Sequence, residues 1–299
     1  MNLREAGKAR MFLLILAGIL MILFVVPYFV HFNPLTAESI ESKADRGKDI
    51  NILLLGIDAR PDETTARSDT IILASIHPSF QKAVMVWIPR DTRLYAPIKG
   101  FYKINSVNFV KGPESSCDVV SKLMGVDVEH YIVVNFSGFE RIIDLLGGVD
   151  MEMDINLDSD RANVHLKKGF QHLNGREALK YARFRNQPSA DIGRTERQQR
   201  LMRAVAEKLL EPTTLVKLPR LVPAFRENVA TNISFSDMLF LTKLCFLFDP
   251  DNIESQTLPG YDWIDPGSGA SYWEVDREIA HSLVRSVLNG HHYEVDVGK

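Results

Sequence analysis

The chain has 299 residues, 24% charged and 45% hydrophobic, with 35 Lys and Arg against 38 Asp and Glu and two cysteines. That apolar share excludes an intrinsically disordered chain, and two cysteines cannot staple a small disulfide scaffold. A formal net charge of −3 gives no general attraction to nucleic acid, so any polyanion site must be a local cluster of positive charge.

Met11 to Val30 reads MFLLILAGILMILFVVPYFV, apolar or small throughout apart from the Tyr28 hydroxyl. As a helix it matches the ~30 Å hydrocarbon core and strands no backbone polar group in lipid. Arg4, Lys8 and Arg10 stand ahead of it against a single Glu5. That excess of positive charge belongs in the cytosol, which puts the rest of the chain outside it. A cleaved signal peptide is the alternative, but the run exceeds the usual apolar region and HFNPLTAES has no A-x-A-like site. Residues 33–49 are polar, with Pro34 and Gly47, and read as a short stalk. Cys117 and Cys245 are expected to be free thiols, Cys245 lying inside the apolar run LTKLCFLF.

Further on, Asn51 to Ile57, Thr70 to Ile76, Ala83 to Ile88 and Tyr131 to Phe136 are short Ile/Leu/Val-rich runs bounded by turn residues, the pattern of strands buried on both faces. Helical patterns cover Glu114 to Met124, Ser137 to Leu146, Gly175 to Tyr181, Gly193 to Leu210 and Phe235 to Phe248. A late strand at Ile253 to Leu258 and a helix from Val275 to Leu288 complete the chain. The alternation predicts one layered α/β/α domain with a central mixed sheet, preceded by one transmembrane helix.

The charged residues sit at the ends of these buried runs. NILLLGI runs into Asp58-Ala59-Arg60, Arg67-Ser68-Asp69 leads into TIILASI, and AVMVWI ends at Pro89-Arg90-Asp91. Ligands of open α/β sheets bind outside the carboxyl ends of the strands, so Asp58 and Arg90 stand where a site is expected. In the helix from Gly193, the apolar positions Leu201, Met202, Val205 and Leu209 extend backwards through Gln198 and Arg194, with Arg197 beside them. A core-facing stripe that starts with Arg and Gln requires polar company, because an unpaired buried guanidinium is very costly. Arg183 and Arg185 alternate just upstream, in YARFR.

Two readings follow. The arginines could pair with Asp58, Asp69, Asp91 and Asp191 in a structural network. Alternatively, Arg90, Arg183, Arg185 and Arg194 with Lys103 form a phosphate clamp, since guanidinium forks bind phosphate oxygens bidentately and keep their charge. Asp58 and Asp69 would then need a cation between them and the phosphate. Mg²⁺ suits, because it takes one or two carboxylates plus phosphate oxygens. The sequence has no GxxxxGK(S/T), GxGxxG, GxSxG or HExxH motif, and its eight His do not cluster.

The segments NILLLGIDAR, RSDTIILASI, IPRDT, KIN, HYIVVNFSGFERIIDLLGGVD, GFQHLNGREALKYARFR and DIGRTERQQR, from Asp49 to Leu210, resemble the LytR-CpsA-Psr family in order and spacing. The resemblance implies an extracellular phosphotransferase that moves a glycopolymer, teichoic acid or capsule-like, from a polyprenyl diphosphate carrier to peptidoglycan through a phosphodiester. It implies Mg²⁺ on Asp58 and Asp69, and diphosphate contacts from Arg60, Arg67, Arg90, Lys103, Arg183, Arg185, Arg194, Arg197 and Gln198. Arg183, Arg185 and Arg194 would be catalytic, with Asp191 the candidate for activating the acceptor hydroxyl. The lipid chain would enter a tunnel between sheet and helices. The implied layout is a cytoplasmic tail (1–10), a transmembrane anchor (11–30), a stalk (31–48) and an extracellular catalytic domain with a C-terminal extension (49–299). Two segments depart from the family pattern: NQPSAD follows ARFR, and Ser-Val-Asn follows KIN. The competing functions are a lipid diphosphate hydrolase with the same clamp, and a membrane-anchored envelope regulator or polymer-binding module. A tail of ~10 residues cannot fold a DNA-recognition domain.

Overall fold

The computed structural model describes residues 38–59, 65–153, 156–159, 164–184, 197–202, 204–205, 208, 213, 228–234, 236–238, 240–241, 244 and 252–294. Its framework is a six-stranded mixed sheet. In chain order the strands are β1 (Ile50–Ile57), β2 (Ser68–His77), β3 (Lys82–Trp87), the short β4 (Arg93–Ile98) and β5 (Phe101–Lys103), β6 (His130–Asn135), β7 (Val149–Met153), β8 (Leu157–Ser159), β9 (Val164–Leu166), β10 (Gly169–Leu173), β11 (Val229–Thr231), β12 (Ile253–Thr257), β13 (Tyr261–Ile264) and β14 (Ser271–Glu274). The large sheet has the order β11-β6-β1-β2-β3-β12, while β4-β5, β7-β10, β8-β9 and β13-β14 form separate two-stranded ribbons. β1 is parallel to β6, and β3 to β12, whereas β2 runs antiparallel between β1 and β3. The carboxyl ends of β1, β3, β6 and β12 therefore share one edge of the sheet with the start of β2.

Side chains alternate across the pleat, and each face has its own core. Leu53, Leu55, Ile57, Ile71, Leu73, Val84 and Val86 are buried beneath two helices, α2 (Ser106–Met124) and α5 (Arg277–Leu288). The opposite face carries Ile50 and Ile52 against Ile40, Ile233 and Leu244. A third cluster joins α3 (Phe136–Leu146) and α4 (Gly175–Arg183) to β7, β8 and β9, with Leu201, Ala204 and Val205. The predicted layering with a central mixed sheet is what the described residues show. The expected span at residues 11–30 lies outside them, and no helix among the described residues is long and apolar enough to cross a membrane.

Several boundaries differ from the sequence reading. Part of the predicted stalk is folded: Ile40–Asp45 forms α1, with Ile40 and Lys43 buried against the domain. A single buried Ile in a polar stretch leaves too weak a periodic signal to find. α2 begins at Ser106, eight residues ahead of expectation, because Gly112 at φ 83 and Pro113 kink it and break the stripe. The short ribbons, three to six residues per strand, were not anticipated. Met202, expected in the apolar stripe, is 43% exposed, while Gln198 does lie in the buried stripe with Leu201 and Val205. Cys117 is a free, buried thiol, as expected, and burial pushes it up to about 12. Cys245 lies outside the described residues.

Candidate functional site: paired arginines and carboxylates at the sheet edge

Two Arg–Asp pairs flank the carboxyl edge of the sheet. In the first, Arg183 Nη2 lies 2.9 Å from Asp58 Oδ2, and its guanidinium sits 5.0 Å from the Phe136 ring centroid. Asp58 directly follows β1, and Phe136 follows the neighbouring parallel strand β6, so sheet pairing brings them together. α4 carries Arg183 in its last turn. Its start is fixed by a capping box, with the Asn174 side chain on the Glu177 amide and the Glu177 carboxylate on the Asn174 amide. The Gly175 amide also donates to Asp144 Oδ1 of α3 at 2.7 Å. Gly175 permits that contact, since a Cβ there would stand 2.1 Å from the Glu140 carbonyl oxygen.

In the second pair, Arg90 Nη1 donates to Asp69 Oδ1. Asp69 is placed by a β-bulge: Gly56 pairs with Thr70 and Ile57 with Ser68, leaving Asp69 as the extra residue. Bulges redirect side chains in this way beside functional sites. Two backbone links and one side-chain link hold the segment in place: the Ser68 amide donates to the Asn105 carbonyl (3.0 Å), the Asn105 amide to the Arg90 carbonyl (3.1 Å), and Asn108 Nδ2 to the Ala66 carbonyl (2.8 Å). Asn108 belongs to the Ser-Val-Asn that departs from the family pattern, and it is fully buried. Its role is to brace the approach to Asp69, a task that no spacing signal in the sequence announces.

Among the described residues, Arg90 Nε is buried without a hydrogen bond, 3.9 Å from Asp91 Oδ2. Lys103 Nζ pairs with Asp91 Oδ1 at 3.0 Å. Arg67, expected to contact the diphosphate, places its guanidinium 5.9 Å from the Phe101 ring. Arg197 and Gln198 are committed to the backbone on either side of Arg183. Arg197 Nη2 donates to the Phe184 carbonyl at 2.5 Å, and Gln198 Nε2 to the Ala182 carbonyl at 3.4 Å. Arg60, Arg185, Asp191 and Arg194 lie outside the described residues. The structural-network reading and the clamp reading thus meet: Arg90 and Arg183 do pair with carboxylates, yet Asp58 is exposed, and Asp69 and Arg90 only partly buried. Pairs so accessible to water can exchange a carboxylate for a phosphate.

Asp58 and Asp69 are hard-oxygen donors on neighbouring strands, which suits a divalent ion that draws its remaining ligands from phosphate and water. No group of three or more His, Cys, Asp or Glu is placed to hold a metal among the described residues.

The chain is similar to Regulatory protein MsrR of Staphylococcus aureus, at 34% identity over 247 residues, covering 80% of this chain and 74% of that protein. It is 34% identical over 251 residues to the Bacillus cereus Polyisoprenyl-teichoic acid–peptidoglycan teichoic acid transferase TagU, covering 83% of this chain and 80% of TagU. A solved structure, TagT bound to LI-WTA, superposes with a TM-score of 0.64 at 25% identity, covering 88% of this chain and 97% of that one. The LytR_cpsA_psr family model matches residues 32–287, and the chain belongs to the LytR_cpsA_psr family.

Proposed function

We propose that the protein transfers a glycopolymer from a polyprenyl diphosphate carrier to a hydroxyl of peptidoglycan, with the diphosphate held between Arg183 and Arg90. The observation that carries this reading is the arrangement of two water-accessible Arg–Asp pairs, on adjacent strand ends, in a family whose relative TagU is named as such a transferase. Approach of a diphosphate gives each guanidinium a second anionic partner, and charge developing on the bridging oxygen meets donors already in position. The acceptor oxygen bonds to the phosphorus that carries the glycan. The bond from that phosphorus to the bridging oxygen breaks, polyprenyl phosphate leaves with the electron pair, and the hydroxyl proton passes to a base, for which Asp191 is the proposed group. Arg185 and Arg194 are proposed to complete the clamp. Mg²⁺ on Asp58 and Asp69 would neutralise charge on the diphosphate. Residues 11–30 are proposed to anchor the chain in the cell membrane with the domain outside the cell. That places the site beside its lipid carrier.

The test is the full-length protein in detergent with a lipid-linked glycan diphosphate and peptidoglycan oligosaccharides. A phosphodiester-linked product is expected, and Arg183→Ala should slow its formation by about 10²–10³-fold. Release of glycan phosphate with no linked product would favour the hydrolase, and transfer by Arg183→Ala at the wild-type rate would remove Arg183 from the machinery. The name of the MsrR relative supports a regulatory reading. Asp58→Ala with Asp69→Ala separates the two: a double variant that restores a deletion strain as well as wild type would favour regulation over catalysis.

A further inference from the structure

We infer that the outward face of the β13–β14 ribbon is a subsite for the acceptor glycan strand, an inference that rests on the transferase reading above. The ribbon is fastened to the site by Trp273. This side chain is 3% exposed, its indole Nε1 donates to the Leu258 carbonyl at 3.2 Å, and its amide donates to the Asp91 carbonyl at 3.0 Å. Thr92, fully buried, forms a parallel bridge with Trp273. With Trp273 and Thr92 turned inward, alternation turns Tyr272 and Glu274 outward together with Asp91 and Arg93. Trp263 is the direct cross-strand partner of Tyr272, and Lys103 of Arg93, so both join the same face.

The contacts agree with that placement. The Arg93 guanidinium lies 4.1 Å from the Trp263 ring centroid and 5.9 Å from that of Tyr272, and it pairs with Glu274 at 3.1 Å. Lys103 Nζ is 5.5 Å from the Tyr272 ring while also bound to Asp91. Arg277 stacks 3.9 Å from the ring of Tyr95, which is 49% exposed. From Arg90 outward, the surface is therefore a continuous row of aromatic rings, guanidinium groups and carboxylates leading away from the diphosphate residues.

This chemistry fits a pyranose polymer. The C–H face of a sugar ring packs against the electron-rich face of an aromatic ring, and the sugar hydroxyls hydrogen-bond to carboxylate and guanidinium groups at its edge. Aromatic residues and Arg are also the side chains most enriched where binding energy concentrates. The occupant must reach the diphosphate from outside as a second substrate and carry negative charge that Arg277 can meet, since Arg93 is already paired with Glu274. A peptidoglycan strand, whose muramyl stem peptides end in carboxylates, does both.

The experiment uses the full-length chain in detergent with a peptidoglycan oligosaccharide of N-acetylglucosamine and N-acetylmuramic acid carrying stem peptides. At saturating lipid-linked donor, Trp263→Ala and Tyr272→Ala are each expected to raise the acceptor KM about tenfold. The donor KM should stay within twofold, and Trp263→Phe, which keeps a ring, should recover most of the loss. A binding readout needs no variant and no turnover. Trp87 and Trp273 are 4% and 3% exposed, so acrylamide quenching reports mainly on Trp263. The oligosaccharide alone should protect it. Protection by the lipid-linked donor instead of the oligosaccharide overturns the assignment, as does an unchanged acceptor KM in both Ala variants. Transfer without protection also overturns the subsite, whereas protection without transfer leaves the subsite standing and defeats the transferase reading.

Discussion

Polar residues crowd both ends of the central sheet, and the two ends differ in how their charges are treated. At the carboxyl edge, Asp58 and Arg183 form an exposed pair and Asp69 and Arg90 a partly buried one, and the Arg90 Nε lacks a hydrogen bond among the described residues. At the opposite edge the key cation and cap are buried and held within the fold, although Asp127 and Asp49 reach solvent. Lys43, 7% exposed at its side chain, lies 2.9 Å from Glu129 and 3.6 Å from Asp127. Asp237 accepts from Ser39 Oγ (2.9 Å) and from the Ile40 amide (2.8 Å) at the start of α1. On the other face of the sheet, Asn51 Nδ2 donates to the Asp127 carbonyl (2.8 Å), Ser75 Oγ to Asn51 Oδ1 (2.6 Å), and His77 bridges Ser75 and Asp49. Most of these buried groups are matched to one another across the sheet, with His130 the exception among the described residues. On the proposed function, the carboxyl edge is the place for chemistry, while the amino edge holds the segment around α1 to the domain.

The sharpest way to break this contrast is to remove one charge from each end. On the proposed mechanism, Arg90→Ala should lower the transfer rate by about 10²–10³-fold, because it would take away a donor for the developing charge. The same change should alter stability by no more than about 1 kcal/mol, since the Arg90–Asp69 pair is partly exposed. A thermal melt and a transfer assay on one preparation check both. A large loss of stability with unchanged rate would reverse the roles of the two ends.

Much of the carboxyl edge is legible in the sequence. Apolar runs that end in Asp58 and Arg90 and begin after Asp69 declare buried strands that stop at charge. The mixed sheet follows from the same runs. The bulge that exposes Asp69, and the use of Arg197 and Gln198 to brace the backbone around Arg183, are not legible. Both depend on pairing between distant segments, and an arginine that binds a carbonyl is spelled like one that binds a phosphate. The aromatic ribbon was likewise invisible. Four-residue strands hold too few periods for a pattern, and Trp263 meets Arg93 only through the fold. At the amino edge, Lys43 and Asp237 resemble ordinary surface charges until α1 is seen to pack.

At that edge the expected effects are smaller and fall on stability. Burial alone would raise the Glu129 carboxyl, but hydrogen bonding and charge from Lys43 more than offset this and hold it below the usual carboxylate range. Lys43→Ala removes that partner and should cost about 2 kcal/mol, less than for a fully buried pair because Glu129 is 32% exposed. Asp237→Ala should cost about 1 kcal/mol through loss of the cap on α1. Denaturant melts of both variants, beside unchanged transfer rates at a temperature where they are folded, would sharpen the division. A tenfold fall in transfer by Lys43→Ala would blur it.

The smallest effect concerns His130 and appears only with pH. The residue is 2% exposed, and neither ring nitrogen has a hydrogen-bond partner among the described residues. Burial lowers its pKa below the ordinary 6.5, the charge of Lys43 lowers it further, and Asp237, Glu129 and Asp127 only partly oppose them. The folded state therefore favours the neutral ring. With the folded pKa below the unfolded one, protons bind the unfolded chain more readily, so stability is full above pH 6.5 and falls as pH drops from there through the folded pKa. His130→Phe keeps the ring shape and removes the proton site. The stability gap between the variant and wild type should widen steadily as pH falls below 6.5, in melts at matched ionic strength. Parallel curves would mean that the imidazole finds a partner when charged, and that this end of the sheet is less sealed than its contacts indicate.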